Sequence, residues 1–450
     1  LNYRFIARSS LIVSGGFLAA KVLGFVREVL IAHAFGTTGQ LDAYYAAFNL
    51  PDLLFALIPG GALASVFIPV LAGYLTTDDR TGGWRLASAV LNVVFLAVAV
   101  GSLIVTLTAP WLVAHVLAPG FSPQLQALTV DLMRLVLLST LIFGVSGVVM
   151  GVLHAHQHFL LPAVAPVVYN LGIIFGAVVL APRMGIFGLA WGVVAGAALH
   201  LIVQVPALIH FGARWSPTIG LGNAGAYEIV RLIGPRILTL GVVRINFLVM
   251  TNLASGLGVG SVSALNYAWD LMQLPESLIG TAIATAAFPT LAELVARGDR
   301  NGLRTTVSTT LWAILGLTVP AAIGLIVLGR PMIQLVFQRG AFDASSTQAV
   351  YWALQFYALG LVGHSTLEVA TRIFYAEHDT RTPFLVAAAA MLAHLALSLT
   401  LMHGLGHGGL ALANSLAVSL EVSGLLVIAR RRLWGVARGR GEAPKGVETV

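Results

Sequence analysis

The sequence predicts an all-helical protein that crosses a lipid bilayer about twelve times, and three observations lead there. The 450 residues are 58% hydrophobic and only 10% charged, with a mean hydropathy of +0.90. A soluble domain is nearer one quarter charged, so this chain cannot cover a water-facing surface. The apolar residues lie in runs of about 20, the length that spans a hydrocarbon core as a helix. The runs are continuous and do not alternate, which excludes a barrel, the only other fold that satisfies its backbone in lipid.

In chain order the spans fall at 9–35, 42–75, 85–116, 126–153, 160–181, 185–211, 227–255, 260–295, 303–329, 347–376, 381–403 and 407–430. The first run lacks a small-residue cleavage site, so it is expected to remain a span and not to act as a signal peptide. Short polar connections carry the turn residues Thr37-Thr38-Gly39, Asp78-Asp79-Arg80 and Pro119-Gly120-Phe121. The organisation expected is an N-terminal lobe over 1–211, a linker over 212–226, a C-terminal lobe over 227–430 and a basic, polar tail over 431–450. Residues 330–345 are expected to form a longer loop between spans, with room for a short interfacial helix.

Net charge is +7. A nucleic-acid binder would gather its cations on one face, but here they stand at the ends of apolar runs. With the N-terminus inside, the inner segments hold Arg4, Arg8, Arg80, Arg85, Arg214, Arg297, Arg300, Arg304, Arg381 and the tail cations from Arg430 to Lys445. The outer segments hold Arg183, Arg330 and Arg339. That asymmetry places both termini in the cytoplasm. There are no cysteines, so neither disulfides nor thiolate metal sites exist.

The chain repeats itself. The run from Gly36 to Asp52 lies over the run from Gly260 to Glu276, with Asn49-Leu50-Pro51-Asp52 on Gln273-Leu274-Pro275-Glu276. Pro162 then matches Pro383, and Gly188-Leu189-Ala190 matches Gly409-Leu410-Ala411. Several anchors in one order indicate duplication, with an even number of spans per half and hence equal orientation. Transporters built from such repeats hold substrate at the midplane between the halves.

Ionisable groups within spans cost about 2.5–3.5 kcal/mol each at a helix centre, and this chain carries many. Some near the interfaces snorkel to water; the set as a whole implies a polar cavity. The first span carries Lys21, Arg27 and Glu28. The second carries Asp42, Asn49 and Asp52 around Pro51, whose kink suits either a gate or a packing bend. In the eighth, Ser263, Asn266, Asp270 and Gln273 follow i, i+3, i+7, i+10 and form one polar stripe, facing a cavity or gluing helices. Pro275 and Glu276 repeat the second-span motif and mark the same gate or hinge. In the tenth, His364, Glu368 and Arg372 share a face, with Glu368 and Arg372 a structural pair or a pair opened by an anion. Arg244 stands without a near-sequence partner. Asp131 with Arg134, and Glu228 with Arg231, read as i, i+3 pairs.

Other chemistries fail on their motifs. A P-loop needs Gly-Lys followed by Ser or Thr, and Lys21 precedes Val22. His154, His156 and His158 alternate without a carboxylate or thiolate beside them, poor ligation for a metal. No cofactor is expected, and Asp78-Asp79 alone is too little for a glycosyltransferase.

The motifs Lys21-Val-Leu-Gly-Phe-Val-Arg27-Glu28, Phe35-Gly36, Asp42-Ala43, Asn49-Leu50-Pro51, Leu117-Ala-Pro-Gly-Phe121, Gly151-Val-Leu-His-Ala155, Phe337-Gln-Arg-Gly-Ala-Phe342, Arg372-Ile-Phe-Tyr-Ala376 and Asp379-Thr-Arg-Thr-Pro383 resemble the lipid II flippases (MurJ/MviN) of the MOP superfamily over nearly the whole chain. The resemblance implies two six-helix lobes around a central cavity and outward movement of an undecaprenyl-linked sugar pyrophosphate by alternating access in the bacterial inner membrane. It implies a secondary transporter and not an enzyme, acting as a monomer, with Lys21 and Arg27 on the pyrophosphate and Asp42 and Ser263 at family polar positions. The chain departs from the family at Phe55, Ala56, Gly60, Trp269-Asp270 and Gln273, where cations or acids are usual, and it lacks two spans after the twelfth. Arg244 or Arg372 would then replace the lost cations. Two alternatives stay open: a flippase for another polyprenyl-linked glycan, and a cation-coupled exporter of small molecules. Sodium, protons or the membrane potential could drive any of the three.

Overall fold

The computed structural model describes residues 3–57, 61–220 and 244–434. The described residues are helical apart from short connections. They form α1 (Tyr3–Phe35), α2 (Gly39–Leu57), α3 (Gly61–Thr76), α4 (Arg80–Leu112), α5 (Pro123–Ala155), α6 (Leu160–Phe175), α7 (Ala181–Met184), α8 (Ile186–Ile202) and α9 (Val205–His210). A helix over 244–255 follows, α10. The chain continues with α11 (Ser261–Pro275), α12 (Ala282–Ala296), α13 (Arg300–Phe337), α14 (Ala344–Ala376), α15 (Arg381–Leu405) and α16 (His407–Trp434). Wide π-helical stretches extend α4 over Val113–Leu117, join α6 to α7 over Gly176–Leu180, and join α11 to α12 over Glu276–Thr281. Residues 221–226 of the linker, most of the seventh span, the Glu228–Arg231 pair and most of the tail lie outside the described residues.

Among the described residues, nine helices are long and apolar enough to cross a membrane. The expected spans missing from that set are the second, seventh and tenth. The second and tenth carry Asp42, Asn49 and Asp52 or His364, Glu368 and Arg372. Those polar groups lower the hydropathy of α2 and α14, and the expected second span is described as two helices, α2 of 19 residues and α3 of 16. At 1.5 Å rise per residue, the 33 residues of α14 are ample to span. The protein is multi-pass and all-helical.

The duplication read from the sequence reappears as matched neighbours. α5 packs on α2, α3, α4 and α8; α14 packs on α11, α12, α13 and α16. α6 packs on α8 as α15 packs on α16. The local signals match too. Asp79 caps α4 by accepting from the Gly82 N–H, and Asp299 caps α13 by accepting from Gly302, both at 2.8 Å. An oxygen at the N-cap satisfies a donor the helix cannot. Gly185 and Gly406 both take positive φ, 59° and 57°, before the sixth and twelfth spans.

The outer surface is apolar. Leu103, Ile104, Leu107 and Trp111 on α4, and Trp312, Ile323, Val327 and Leu328 on α13, are exposed. That inversion is what lipid selects. The largest buried cluster crosses between the halves, joining Ile31, Phe35 and Leu41 to Val262, Tyr267, Phe337 and Phe342. It lies at one end of the bundle, called the Asp42 end below.

Candidate functional site

Two connected chambers lie inside the bundle. The first, of about 760 Å³, lies between the halves. Arg27, Glu28, Tyr45, Asn49, Asp52 and Tyr169 line it from one half; Arg244, Asn246, Asn266, Asp270, Gln273, His364, His394, Asn414 and Glu421 line it from the other. The second, of about 640 Å³, opens among α1, α5, α6 and α11. It shares Arg27, Glu28, Asp270 and Gln273 with the first and adds Lys21. The stripe on α11 therefore divides. Asn266, Asp270 and Gln273 face the chambers, whereas Ser263 does not.

Arg27 stands where the chambers meet, and its donors are already engaged. Nε donates to Glu28 Oε1 at 3.0 Å and Nη1 to Asn170 Oδ1 at 2.9 Å. Tyr45 donates its hydroxyl to Glu28 Oε2 at 3.0 Å. Asn170 is fixed in turn by donating to Pro166 O at 3.0 Å within α6 and to Ala20 O at 3.3 Å across to α1. A guanidinium oriented by so many partners presents a planar fork that suits phosphate. Lys21 lies about one turn and a half back along α1, over the Phe17 ring at 5.6 Å.

On the far wall, Arg244 approaches Asp52 across the gap between halves, at 3.7 Å. Thr251 donates to Asn49 Oδ1 at 3.3 Å beside it. Asn49 itself donates to the Tyr45 and Ala46 carbonyls, one turn before Pro51, where the ring removes a helix donor.

Asp42 and Ser263, expected in the cavity, lie elsewhere. Asp42 is completely buried and accepts from the Gly260 N–H, the Ser263 N–H at 2.7 Å and the Ser263 hydroxyl at 2.8 Å. A buried carboxylate persists because three donors replace its water. Thr37 donates to Ser346 Oγ at 2.8 Å, Ala341 N–H to His33 O at 2.8 Å, and Gly120 N–H to Ser255 Oγ at 3.1 Å. Each bond joins the two halves. Beneath them Phe25 meets Phe337 and Tyr45 meets Tyr267 edge-on, at 6.0 and 6.1 Å between ring centres, and Tyr267 lies tilted on Phe337 at 5.7 Å. Together these contacts close the chambers at the Asp42 end. The backbones come so near that side chains are excluded. A Cβ on Gly120 would fall 2.5 Å from the Gly256 backbone, and one on Gly36 would fall 2.3 Å from Ala341 O.

Glu368 and Arg372 pair on α14, and Arg372 also donates to Thr285 Oγ1 at 3.2 Å; neither lines a chamber. Pro275 ends α11, and Glu276 opens the π stretch beyond it, buried and accepting from Thr281 at 3.2 Å. Asp131 and Arg134 pair at 3.8 Å. His156 stacks on Trp84, ring centres 5.6 Å apart. No group of three or more His, Cys, Asp or Glu able to hold a metal occurs among the described residues. At the opposite end, Arg432 of α16 meets Asp379 at 2.8 Å and Glu377 at 3.2 Å in the α14–α15 connection. The Thr382 hydroxyl and N–H, and then Arg432, hold the Asp379 carboxyl well below its usual range. A depressed acid stabilises above its unfolded value, so this latch holds at neutral pH and is lost only on strong acidification.

Asn246, His394, Asn414 and Glu421 line the first chamber but were not singled out from the sequence. His394 contacts Asn246 Oδ1 at 2.7 Å, and His364 contacts Asn414 Oδ1 at 3.0 Å. Each is a polar residue within an apolar run, where polarity marks a lined cavity. The aromatic plug gives no such signal, since aromatics are ordinary core residues.

Comparison with known proteins agrees with this geometry. Residues 31–441 match the sequence profile of lipid II flippase MurJ. A lipid II flippase MurJ of Burkholderia cenocepacia is 32% identical over 439 residues, covering 95% of this chain and 84% of that one. A probable lipid II flippase MurJ of Rhizobium tropici is 30% identical over 448 residues, covering 96% and 83%. The solved structure of a lipid II flippase MurJ in an inward closed conformation superposes with a TM-score of 0.80 at 26% identity, covering 93% of this chain and 87% of that one. An inward-facing MATE transporter of the MOP superfamily shares the fold at 14% identity, with a TM-score of 0.78 over 92% of this chain and 94% of that one. By profile, sequence and fold, the chain belongs to the lipid II flippase MurJ family.

Proposed function

We propose that this protein carries lipid II, an undecaprenyl-pyrophosphate-linked peptidoglycan precursor, from the inner to the outer leaflet of the bacterial cytoplasmic membrane. The observation that carries the reading is Arg27 at the meeting of the two chambers, oriented by Asn170 and balanced by Glu28. A pyrophosphate brings more negative charge than one carboxylate and accepts the same donors, so it displaces Glu28. Lys21 supplies a second cation on the same helix, and Arg244 a third, released from Asp52. The lipid chain remains in the bilayer while the headgroup occupies the chambers. The chain acts as a monomer, since one copy encloses the whole path. Transport alternates by rocking of the halves about the bends at Pro51 and Pro275, with the Asp42 contacts parting on the outward stroke.

In this reading the Asp42 end faces the periplasm and both termini face the cytoplasm, as the cation bias dictates. A reporter fused after Arg432 is expected to read as cytoplasmic; a periplasmic signal there would reverse the assignment. The substrate is tested by depletion. Lipid II is expected to accumulate in the inner leaflet when the protein is withdrawn. Accumulation of a different polyprenyl-linked glycan, with lipid II unchanged, would replace the cargo.

A further inference from the structure

Among the described residues, the first chamber carries more carboxylates than cations. Four acids line it: Glu28, Asp52, Asp270 and Glu421. Glu28 is met by Arg27 and Tyr45, and Asp52 by Arg244. Asp270 and Glu421 have no ion-pair or hydrogen-bond partner among the described residues. Lys21, Arg27 and Glu28 act on Asp270 only at longer range. Both unpaired acids belong to the second half, on α11 and α16, whereas Lys21 and Arg27 belong to the first. The two halves therefore differ: Lys21 and Arg27 stand on α1 of the first, whereas the second carries Asp270 and Glu421 beside one cation, Arg244, that is engaged with Asp52.

An unpaired carboxylate inside a membrane is costly and is retained where something positive comes to it. A bare metal ion is a poor fit, because such ions want several oxygen ligands together, and no three acids or histidines converge among the described residues. The Asp270 side chain is open to the chamber, accessible to a group on a long flexible arm. Beside it Trp269 packs edge-on to Tyr357 and His364, ring centres 5.4 and 5.2 Å away. Aromatic faces next to a carboxylate favour an organic cation.

We infer that the Asp270 and Glu421 wall receives a primary ammonium group on the substrate's headgroup. The cargo is then zwitterionic: pyrophosphate on the Lys21–Arg27 wall, and an amine-bearing peptide reaching the opposite wall. This rests on the flippase function proposed above and narrows it to glycolipids that carry a free amine.

The test uses the full-length protein in liposomes and two lipid-linked pyrophosphate glycopeptides, identical except that the side-chain amine of one is N-acetylated. The wild type is expected to flip the free-amine lipid about tenfold faster or more, the scale of a lost charged hydrogen bond. Asp270→Asn and Glu421→Gln, each checked for an unchanged elution profile, are expected to bring the ratio close to one. Equal rates for the two lipids in the wild type overturn the inference and leave the flippase reading standing. Movement of neither lipid overturns both. A preference that survives in both variants while sodium or pH dependence disappears assigns the carboxylates to an inorganic cation or a proton, and also overturns it. The wild-type ratio needs no variant, so misfolding of either one leaves the test intact.

Discussion

Cysteines at Thr37 and Ser346 are expected to form a disulfide spontaneously and to stop transport completely, with activity returning on reduction. The hydroxyl oxygens of these residues are 2.8 Å apart, and a disulfide needs Cα atoms within about 7 Å. Thr37 follows α1 in the first half; Ser346 lies in the first turn of α14 in the second. A bond between them fastens the two halves at the Asp42 end, where the proposed rocking requires them to part for cargo to leave outward. The chain has no native cysteine, so no competing bridge forms. Cross-linking is read on a gel and transport in liposomes. Undiminished transport by a fully cross-linked sample would show that the halves do not separate here and would remove the rocking mechanism.

Arg27→Ala is expected to reduce transport by more than tenfold. Charged hydrogen bonds to a phosphate are worth roughly 1.5–3 kcal/mol each, and a guanidinium makes two to one phosphate group. Arg27→Lys should recover part of the loss, since the charge remains while the fork is gone. The same substitution also strands Glu28, so the loss has two possible origins. The double variant Arg27→Ala, Glu28→Ala separates them. It relieves the stranded acid and should restore thermal stability, yet transport should stay low. Recovery of transport in the double variant would make Arg27 a structural partner of Glu28 and nothing more.

The architecture was legible in the sequence because lipid imposes one rule on every span. Apolar runs of bilayer length and cations at their ends are sufficient to lay out the helices. The repeat was legible because Pro51 and Pro275 punctuate both copies. The chamber was only partly legible. Asn266, Asp270 and Gln273 announce themselves by sharing a helical face, and Arg27 by its place in a dense motif. Asn246, His394, Asn414 and Glu421 come from three different helices, and periodicity along one helix does not bring them together. Asp42 and Ser263 show the opposite limit. Their polarity is visible in the sequence, but a cavity residue and a buried interlobe contact look alike until the partner helix is in place. The same holds for Glu368 and Arg372, whose spacing gave the pair correctly and its location not at all.

The closure at the Asp42 end bears on the membrane as an electrical barrier. A chamber of about 760 Å³ within the bilayer shortens the insulating path to the few layers that remain above it. Those layers contain Gly36 against Ala341 and Gly120 against Gly256 at backbone distance, with aromatic rings below. Asp42, a buried carboxylate at this end, has its oxygens filled by protein donors. Such a seam leaves little room for a continuous file of water, and without water neither protons nor sodium can cross. In the proposed cycle the protein can thus wait with its headgroup site exposed on one side without dissipating the ion gradients of the cell. Bulky residues at Gly36 or Gly120 would loosen that seam, and the first harm would be to the energised state of the whole membrane, ahead of any defect in the cargo it supplies.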